Sequence, residues 1–511
     1  MNEVRSEVVV IGGGVAGLVA ALECGRLGLS VTVLERAANP GGCVGRIELA
    51  GLTLDSGAES FATRGGSVAE LIGQLGLESE IVTPNPAGAW LAMPGQNGAV
   101  AAAPLPKTGM LGIPANPLGD DVRRIIGWGG ASRAYLDRLM PILRIGRARS
   151  LGALVRKRMG RKVLDRLVTP ISSGVYSANP DDLDLDVVAP GLNEAMTRAG
   201  SLSGGVGELV ETRRAGSAVL GLRGGMHRLV DALLAELARF DVTVITSAEV
   251  VALARDGEAA EHPRWRATAR VGTGEPGVGG PGVGEPGTGE PGAADLTVEA
   301  AYAIVATPAH AARPLLATTV DGWAEVSEAP GATSVELVTL VLDAPALAAA
   351  PRGTGVLVAA DTPGVAAKAL THSSAKWAWV AEAAAPHQVV RLSYGRAGSP
   401  NPLDGRSDAE VAELAIADAS ALTGVPLDGS MLVDSGRTPW RDALSHAALG
   451  QLDRVRAAEE AVAAVPGLEV TGSWLSGTGL ASVVPHAMEA ASRIRHLAVR
   501  DRAAAEGDPD A

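Results

Sequence analysis

Val8-Val-Val-Ile11 is an unbroken run of β-branched residues that leads straight into Gly12-Gly-Gly-Val-Ala-Gly17. No other junction in the chain constrains its fold as tightly. A run without polar alternation suits a strand covered on both faces of a parallel sheet. Gly12, Gly14 and Gly17 then fit G-x-G-x-x-G. In that pattern the first glycine permits a tight turn, the second lets backbone approach a pyrophosphate, and the third lets helix and strand pack closely. Leu18 to Leu27 continues as a small-residue helix, whose free N–H groups and dipole favour an anion at its start. Val31-Thr-Val-Leu-Glu-Arg36 reads as a second strand ending in an acid. Glu35 stands eighteen positions beyond Gly17, close to the roughly 20 expected of a carboxylate that bonds a ribose hydroxyl. Strand, turn, helix, strand and acid are in register, so the chain opens with an adenine-dinucleotide unit.

Nicotinamide and flavin enzymes share such a unit, and the next residues bear on the choice. Gly41-Gly-Cys-Val-Gly-Arg46 is a second glycine turn with an arginine behind it. Such a turn can bring N–H groups and a fixed cation against a buried pyrophosphate; an ordinary surface turn is the alternative. Asp55-Ser-Gly-Ala-Glu59 follows a short hairpin-like segment. With these elements the sequence resembles the flavin-containing amine oxidase superfamily, in which they surround FAD.

The chain has 511 residues, enough for two or three domains. Its net charge of −13 argues against a nucleic-acid surface. No run of about 18 apolar residues predicts a membrane span, and the N-terminus enters a strand too early for a secretory signal. Two cysteines, Cys24 and Cys43, exclude a disulfide framework and fit a reducing cytoplasm. The eight histidines lack metal-ligand spacing, and neither a G-x-S-x-G elbow nor a Walker loop is present. No metal site is expected.

Along the chain, residues 84–117 alternate Pro, Gly and short apolar pieces. Arg123 to Arg166 is helical and holds thirteen Lys/Arg against Asp137 and Asp165. This basic island could steer a polyanionic substrate, touch an acidic membrane surface, or be a solvated helical face. Leu222-Arg-Gly-Gly-Met226 feeds an amphipathic helix, and Val242 to Leu253 reads as strand, turn and strand. Residues 271–295 are Gly-Glu-Pro-Gly repeats, too poor in apolar surface to fold, between strands at Trp265–Val271 and Leu296–Tyr302. Ala303-Ile-Val-Ala-Thr-Pro308 reads as a further buried strand. Strand patterns dominate 332–435. The nucleotide fold resumes with Leu468-Glu-Val-Thr-Gly-Ser-Trp474 and Ser476-Gly-Thr-Gly-Leu480, followed by a helix over 483–499.

Thr169-Pro-Ile-Ser-Ser-Gly-Val-Tyr-Ser-Ala-Asn-Pro-Asp-Asp-Leu183 resembles the P-x-x-x-G-V-Y-A-G-D-P-x-x-L stretch of the FAD-dependent protoporphyrinogen and coproporphyrinogen III oxidases. Leu222-Arg-Gly-Gly-Met226, Ser373-Ser-Ala-Lys-Trp377 and Ser476-Gly-Thr-Gly-Leu480 carry the same likeness, which covers nearly the whole chain. Leu111-Gly-Ile-Pro114 in an Ala/Gly-rich setting is similar to the actinobacterial-type branch, whose substrate is taken to be coproporphyrinogen III.

The resemblance implies an α/β plus α+β architecture: a Rossmann-like GR2-type FAD-binding domain (1–83, 217–312 and 436–500), an inserted β-rich substrate domain (84–116 and 313–435) and a helical domain (117–216). Residues 271–295 would be a disordered loop and 501–511 a flexible tail. By the same resemblance, Gly12, Gly13, Gly14, Val15, Ala16 and Gly17 would hold the pyrophosphate and Glu35 the ribose. Arg36, Gly42, Cys43, Arg46, Gly57, Ala58, Glu59 and Ser60 would line the cofactor channel. Val250 would contact the adenine side, and Trp440, Thr478, Gly479 and Leu480 would approach the isoalloxazine.

The implied reaction dehydrogenates coproporphyrinogen III to coproporphyrin III in heme biosynthesis, with oxygen as acceptor and hydrogen peroxide released, and with possible hand-off of product to a ferrochelatase. Membrane contact would be peripheral at most. No catalytic base stands out; His372, Lys376 and Arg391 are the pocket candidates. Two departures from the family pattern matter. Ala87-Gly-Ala-Trp-Leu91 lacks the arginine that relatives place before this strand for a substrate propionate, so anchoring must use another group. Ala443-Leu-Ser-His-Ala-Ala-Leu-Gly-Gln451 replaces the family's A-L-P-Q-Y-x-x-G-H. Alternatives are a protoporphyrinogen IX oxidase, another superfamily oxidase or desaturase acting on an amine or polyene, and a flavin-bearing porphyrin-binding protein without turnover.

Overall fold

The computed structural model describes residues 2–107, 109–140, 147–211, 219–256, 264–272, 294–326, 334–396, 398–440 and 447–506. Its first sheet is built around β1 (Asn2–Ile11), which is followed by α1 (Val15–Arg26) and β2 (Val31–Leu34). Val8 and Val10 of β1 pack into a core shared with α1, while Val9 and Ile11 enter a second core with Trp265 and Trp323. Side chains alternate across a strand, so the uniformly apolar run is what covering both faces demands. β1 pairs in parallel with β2 on one side and with Ala294–Val305 on the other. Thr243–Ile245 and Leu468–Val470 extend the parallel part. Arg264–Val271 and Ala248–Asp256 add an antiparallel wing to the early half of Ala294–Val305.

Several expectations are revised here. Leu296–Tyr302 and the strand expected after it are one continuous strand, because the β1 ladder runs from Leu296 to Val305 of Ala294–Val305. Of the expected loop 271–295, Val271 and Asp295 pair in the antiparallel wing, and 273–293 lie outside the described residues. The closing helix runs from Leu480 to Glu506, so the expected tail begins as helix over 501–506. Tyr302 Oη donates to Asp501 at 2.7 Å and Arg502 pairs with Glu7, which ties that last stretch down.

The second sheet runs in the order Leu432–Trp440, Val335–Leu342, Gln388–Tyr394, Ala369–His372, Gly355–Val358, Ala89–Pro94, Val100–Pro104. All neighbours are antiparallel except Gly355–Val358 with Ala89–Pro94. Val338, Leu340, Val390, Leu392 and Tyr394 face the helix Asp408–Thr423. Val341 and Val389, on the opposite face, meet Leu54 and Trp377. The expected boundary at 435/436 falls inside Leu432–Trp440, whose ladder to Val335–Leu342 keeps the whole strand in this sheet.

Helices Asp120–Tyr135, Leu151–Arg158, Leu192–Ala199 and Leu202–Glu211 build the third region. Asp137 is fully buried there. It accepts from Arg158 Nε at 2.5 Å and from the backbone N–H groups of Leu202 and Ser203 at 3.1 and 2.8 Å. The basic island is largely answered locally: Arg123, Arg147, Arg149, Arg156, Arg158, Arg161 and Arg166 each face a carboxylate. Among the described residues no helix is long and apolar enough to cross a membrane.

Candidate functional site

The glycine turns converge as their backbone requirements dictate. Gly12 has φ +107°, and a Cβ on it would lie 2.8 Å from the Ala306 carbonyl oxygen. A Cβ on Gly17 would lie 1.9 Å from the Gly12 carbonyl oxygen, so only glycine lets α1 start this close to the end of β1. Gly14 caps α1 in extended conformation with no heavy atom within 4 Å of its Cβ position. The first bond of the helix is Leu18 N–H to the Gly14 carbonyl, so the N–H groups of Val15, Ala16 and Gly17 head α1 without helical acceptors. The second turn lies directly against the first: Gly41 N–H donates to the Gly13 carbonyl at 2.8 Å, and Gly41 bridges to Gly14.

Glu35 directly follows β2 beside these turns. Its carboxylate accepts from Gly13 N–H at 2.6 Å and Ala37 N–H at 2.7 Å. Its own carbonyl accepts from Ala248 N–H, which brings the start of Ala248–Asp256, with a bulge beginning at Val250, to the same end of the sheet. Arg36 is exposed. Cys43 is open to solvent yet ringed closely enough by protein that burial pushes its thiol up.

The segment 43–46 packs on 55–59. Ala58 N–H donates to the Cys43 carbonyl at 2.9 Å and Ser56 N–H to the Gly45 carbonyl at 3.0 Å. A Cβ on Gly57 would lie 2.2 Å from the Cys43 carbonyl oxygen and 2.8 Å from the ring of Trp440. Trp440, at the end of the second sheet, thus reaches the cradle of the first. Thr478 and Gly479 are exposed ahead of the closing helix, which Leu480 starts. Ser482 in its first turn accepts from Arg64 at 3.0 Å. Arg46 does not turn inward as a fixed cation. It faces Asp231 at 3.6 Å, both side chains being about half exposed, a pair of little energetic weight.

Lys376 and Arg391, two of the pocket candidates, converge on Glu59. Lys376 Nζ donates to Glu59, and Arg391 pairs with it at 3.0 Å while also donating to the Gly57 carbonyl at 2.8 Å. Burial alone would raise the Glu59 carboxyl; Arg391 and Lys376 outweigh it and hold the group below the usual carboxylate range. Both cations are matched, and the Glu59 carboxylate ties the 55–60 loop to helix Ser373–Lys376 and to strand Gln388–Tyr394 of the second sheet. Ser60 and Ala58 flank it, partly buried. His372 belongs elsewhere. It sits opposite Val390, whereas Arg391 pairs with Thr371, so alternation turns it to the other face of the sheet. It is 3% exposed, and burial keeps its imidazole below the ordinary range.

The sequence reading passed over three groups. His227 follows the Gly224-Gly225 turn, and its ring nitrogen lies 3.4 Å from buried Asp55. Lys368 and Arg396 lie close together at one end of the second sheet. Nothing in the spacing marks them: Lys368 stands in an alanine-rich run and is buried by Ser177, 191 positions away. Residues 441–446, including His446, lie outside the described residues.

Comparison with known proteins places this geometry. The sequence model of one family, described as flavin containing amine oxidoreductase, matches residues 15–495. The chain is 24% identical over 517 residues to the coproporphyrinogen III oxidase of Bacillus subtilis, covering 96% of this chain and 98% of that one. It is 28% identical over 494 residues to that of Mycobacterium bovis, covering 95% and 96%. A solved structure described as a "Putative protoporphyrinogen oxidase" from Exiguobacterium superposes with a TM-score of 0.77 over 97% of this chain and 99% of that one, at 24% identity. That last likeness speaks to the fold.

Proposed function

Because this chain belongs to the flavin containing amine oxidoreductase family, we propose that it is an FAD-dependent oxidase that dehydrogenates coproporphyrinogen III to coproporphyrin III, with oxygen as acceptor and hydrogen peroxide as by-product. The observation that carries the reading is the match along nearly the whole chain to relatives of that activity, combined with a cradle that suits a dinucleotide.

The residues suit a dinucleotide such as FAD. Glycine is sterically required at Gly12, Gly17 and Gly57, and the Gly41–Gly42 turn lays a second stretch of backbone against the first at Gly13 and Gly14. Gly12 to Gly17 and Gly42 would hold the pyrophosphate. Glu35 keeps acceptor capacity for a ribose hydroxyl beyond its two backbone donors, and Val250 would flank the adenine. Gly57, Trp440 and Thr478 to Leu480 would border the ring system. When bound, the flavin supplies the hydride acceptor that no side chain can provide.

The chain's own work is then to bind, orient and exclude water. Flanking electron-rich pyrroles already activate the hydrogens on a porphyrinogen's bridging carbons, and the adjacent N–H loses its proton. The Glu59 bridge and Trp440 fix the second sheet against the cradle, which sets where such a carbon rests. No described side chain has to act as an obligatory base.

The test is anaerobic addition of coproporphyrinogen III to the purified holoprotein, following flavin absorption and porphyrin fluorescence. Bleaching that reverses on admitting oxygen, with peroxide release, is the expected result. A flavin that stays oxidised with both coproporphyrinogen III and protoporphyrinogen IX overturns the reading.

A further inference from the structure

Lys368 is 1% exposed, yet its ammonium donates to a neutral hydroxyl, Ser177 Oγ at 2.6 Å. An ammonium has three donors, and a buried charge is ordinarily matched by an opposite one. Beside it, Arg396 has Nε and Nη2 buried without an acceptor. Among the described residues no carboxylate stands within ion-pair distance of either cation. Asp418, the nearby acid, is taken up by the N–H groups of Ala366 and Ala367 and by Tyr394 Oη. Asp361 faces Arg166 at 3.0 Å. Two neighbouring cations are therefore packed into the fold without an anion.

Their position connects them to the site. Lys368 N–H bonds the Ser393 carbonyl, Tyr394 pairs with Glu336, and Val335 pairs with Trp440. Lys368, Arg396 and Trp440 thus share one end of the second sheet. Three strand spacings separate the Lys368 and Trp440 strands, about 14 Å at ~4.8 Å each. That span suits a tetrapyrrole reaching from a bridging carbon to a propionate on its far edge. Ser177 comes from the Thr169–Leu183 stretch, so the third region closes over the same place. Ser177 and Arg396 are only partly buried as residues, while Lys368 and the Nε and Nη2 of Arg396 are shut off from water. Residues 87–91, before Trp90, offer no arginine for this task.

We propose that Lys368 and Arg396, with the Ser177 hydroxyl, form the anchor for a substrate propionate. This rests on the porphyrinogen reading above and assigns the group that replaces the missing arginine. Arg396 would present its planar fork to the carboxylate, and Lys368 would supply the second charge. Burial and the Arg396 charge bring the Lys368 ammonium down to about 8, which a bound carboxylate would reverse.

The experiment compares wild type, Lys368→Met and Arg396→Met as holoproteins. It measures KM and kcat with coproporphyrinogen III, and the binding of coproporphyrin III against its tetramethyl ester. Each substitution is expected to raise KM about tenfold or more, as loss of a charge-assisted hydrogen bond does, with kcat altered far less. The preference for the free acid over the ester should fall in parallel. Unchanged KM and unchanged acid preference would overturn the anchor while leaving the oxidase reading intact. An unreactive wild type would instead sink the oxidase reading, and the acid-against-ester comparison would still decide the anchor. Should Lys368→Met fail to fold, Lys368→Gln and Ser177→Ala carry the same comparison, the latter with a smaller expected rise.

Discussion

Replacing Glu59 by alanine tests whether the 55–60 loop of the cradle is held to the second sheet electrostatically. The carboxylate sits between Lys376 and Arg391, with side-chain exposures of 12%, 18% and 11% in that order. Removing one member of a buried ion pair generally costs about 3–5 kcal/mol, because it strands the partner. Here the partners differ. Arg391 retains the Gly57 and Asp55 carbonyls at 2.8 and 3.2 Å, so its guanidinium stays hydrogen-bonded. Lys376 loses its carboxylate but, as the most exposed of the three, can turn its ammonium toward water. The expected cost is therefore at the lower end, about 3 kcal/mol. Lys376→Met leaves Glu59 paired with Arg391 and should cost only about 1–2 kcal/mol. The double mutant should fall short of the sum by at least ~1 kcal/mol, the coupling of residues in direct contact. Urea-driven release of flavin fluorescence reports the relevant transition, since this multidomain chain need not unfold in one step. The pH sign follows from the depressed Glu59 carboxyl. The stabilisation is fully present above the ordinary value of 4.5 and is lost as pH falls through the lower folded value, and Glu59→Ala should flatten that acid limb. A Glu59→Ala protein within ~1 kcal/mol of wild type, with an unchanged acid limb, would show that solvent screens the bridge and that apolar packing alone joins the loop to the sheet.

Gly17→Ala would set a methyl 1.9 Å from the Gly12 carbonyl oxygen; α1 must retreat, so the purified protein should carry little flavin while losing only about 1–3 kcal/mol of stability. Asp137→Asn presents an amide to Arg158 and to the Leu202 and Ser203 N–H groups. It should cost roughly 3–5 kcal/mol, seen as proteolytic nicking within the helical region before the rest of the chain yields. The Lys368 ammonium, lowered to about 8 by burial and by Arg396, opposes folding while charged. Wild-type stability should rise between pH 8 and 10.5 relative to Lys368→Met, because the unfolded chain binds the proton more tightly there; parallel profiles would refute it. Neutralising Arg149 and Arg161, exposed and already facing Asp453 and Asp165, should shift KM by less than about twofold at any ionic strength, and a steep salt-dependent rise would restore a steering role to the basic island.

What the sequence could convey divides by physical cause. The opening unit was legible because its requirements are local and absolute. Gly12 and Gly17 meet backbone oxygens that no side chain could share space with, and β1 must be apolar at every position because both faces are covered. The second glycine turn was legible for the same reason, and its contact with the first follows from Gly41 N–H meeting the Gly13 carbonyl. Strand ends were less legible. Leu432–Trp440 reads as two pieces in sequence, and only its ladder to Val335–Leu342 shows that the chain stays in the second sheet as far as Trp440.

Side-chain tasks that depend on distant partners could not be read at all. Arg391 and Lys376 are pocket candidates in the sequence because a cation near a predicted site has no visible owner. Glu59, 317 positions before Lys376, supplies one and turns both into fasteners. His372 shares their stretch of sequence, but one step along a strand reverses its face. Lys368 is the converse case: an unremarkable residue among alanines becomes, through Ser177 and Arg396, a buried cation awaiting an anion. The two cases have one origin. Strand parity and long-range pairing decide whether a charge is satisfied, and satisfaction separates a structural cation from one that can hold a ligand. By that criterion the search for the substrate carboxylate moves from Lys376 and Arg391, whose charges are matched within the fold, to Lys368 and Arg396, whose charges are not.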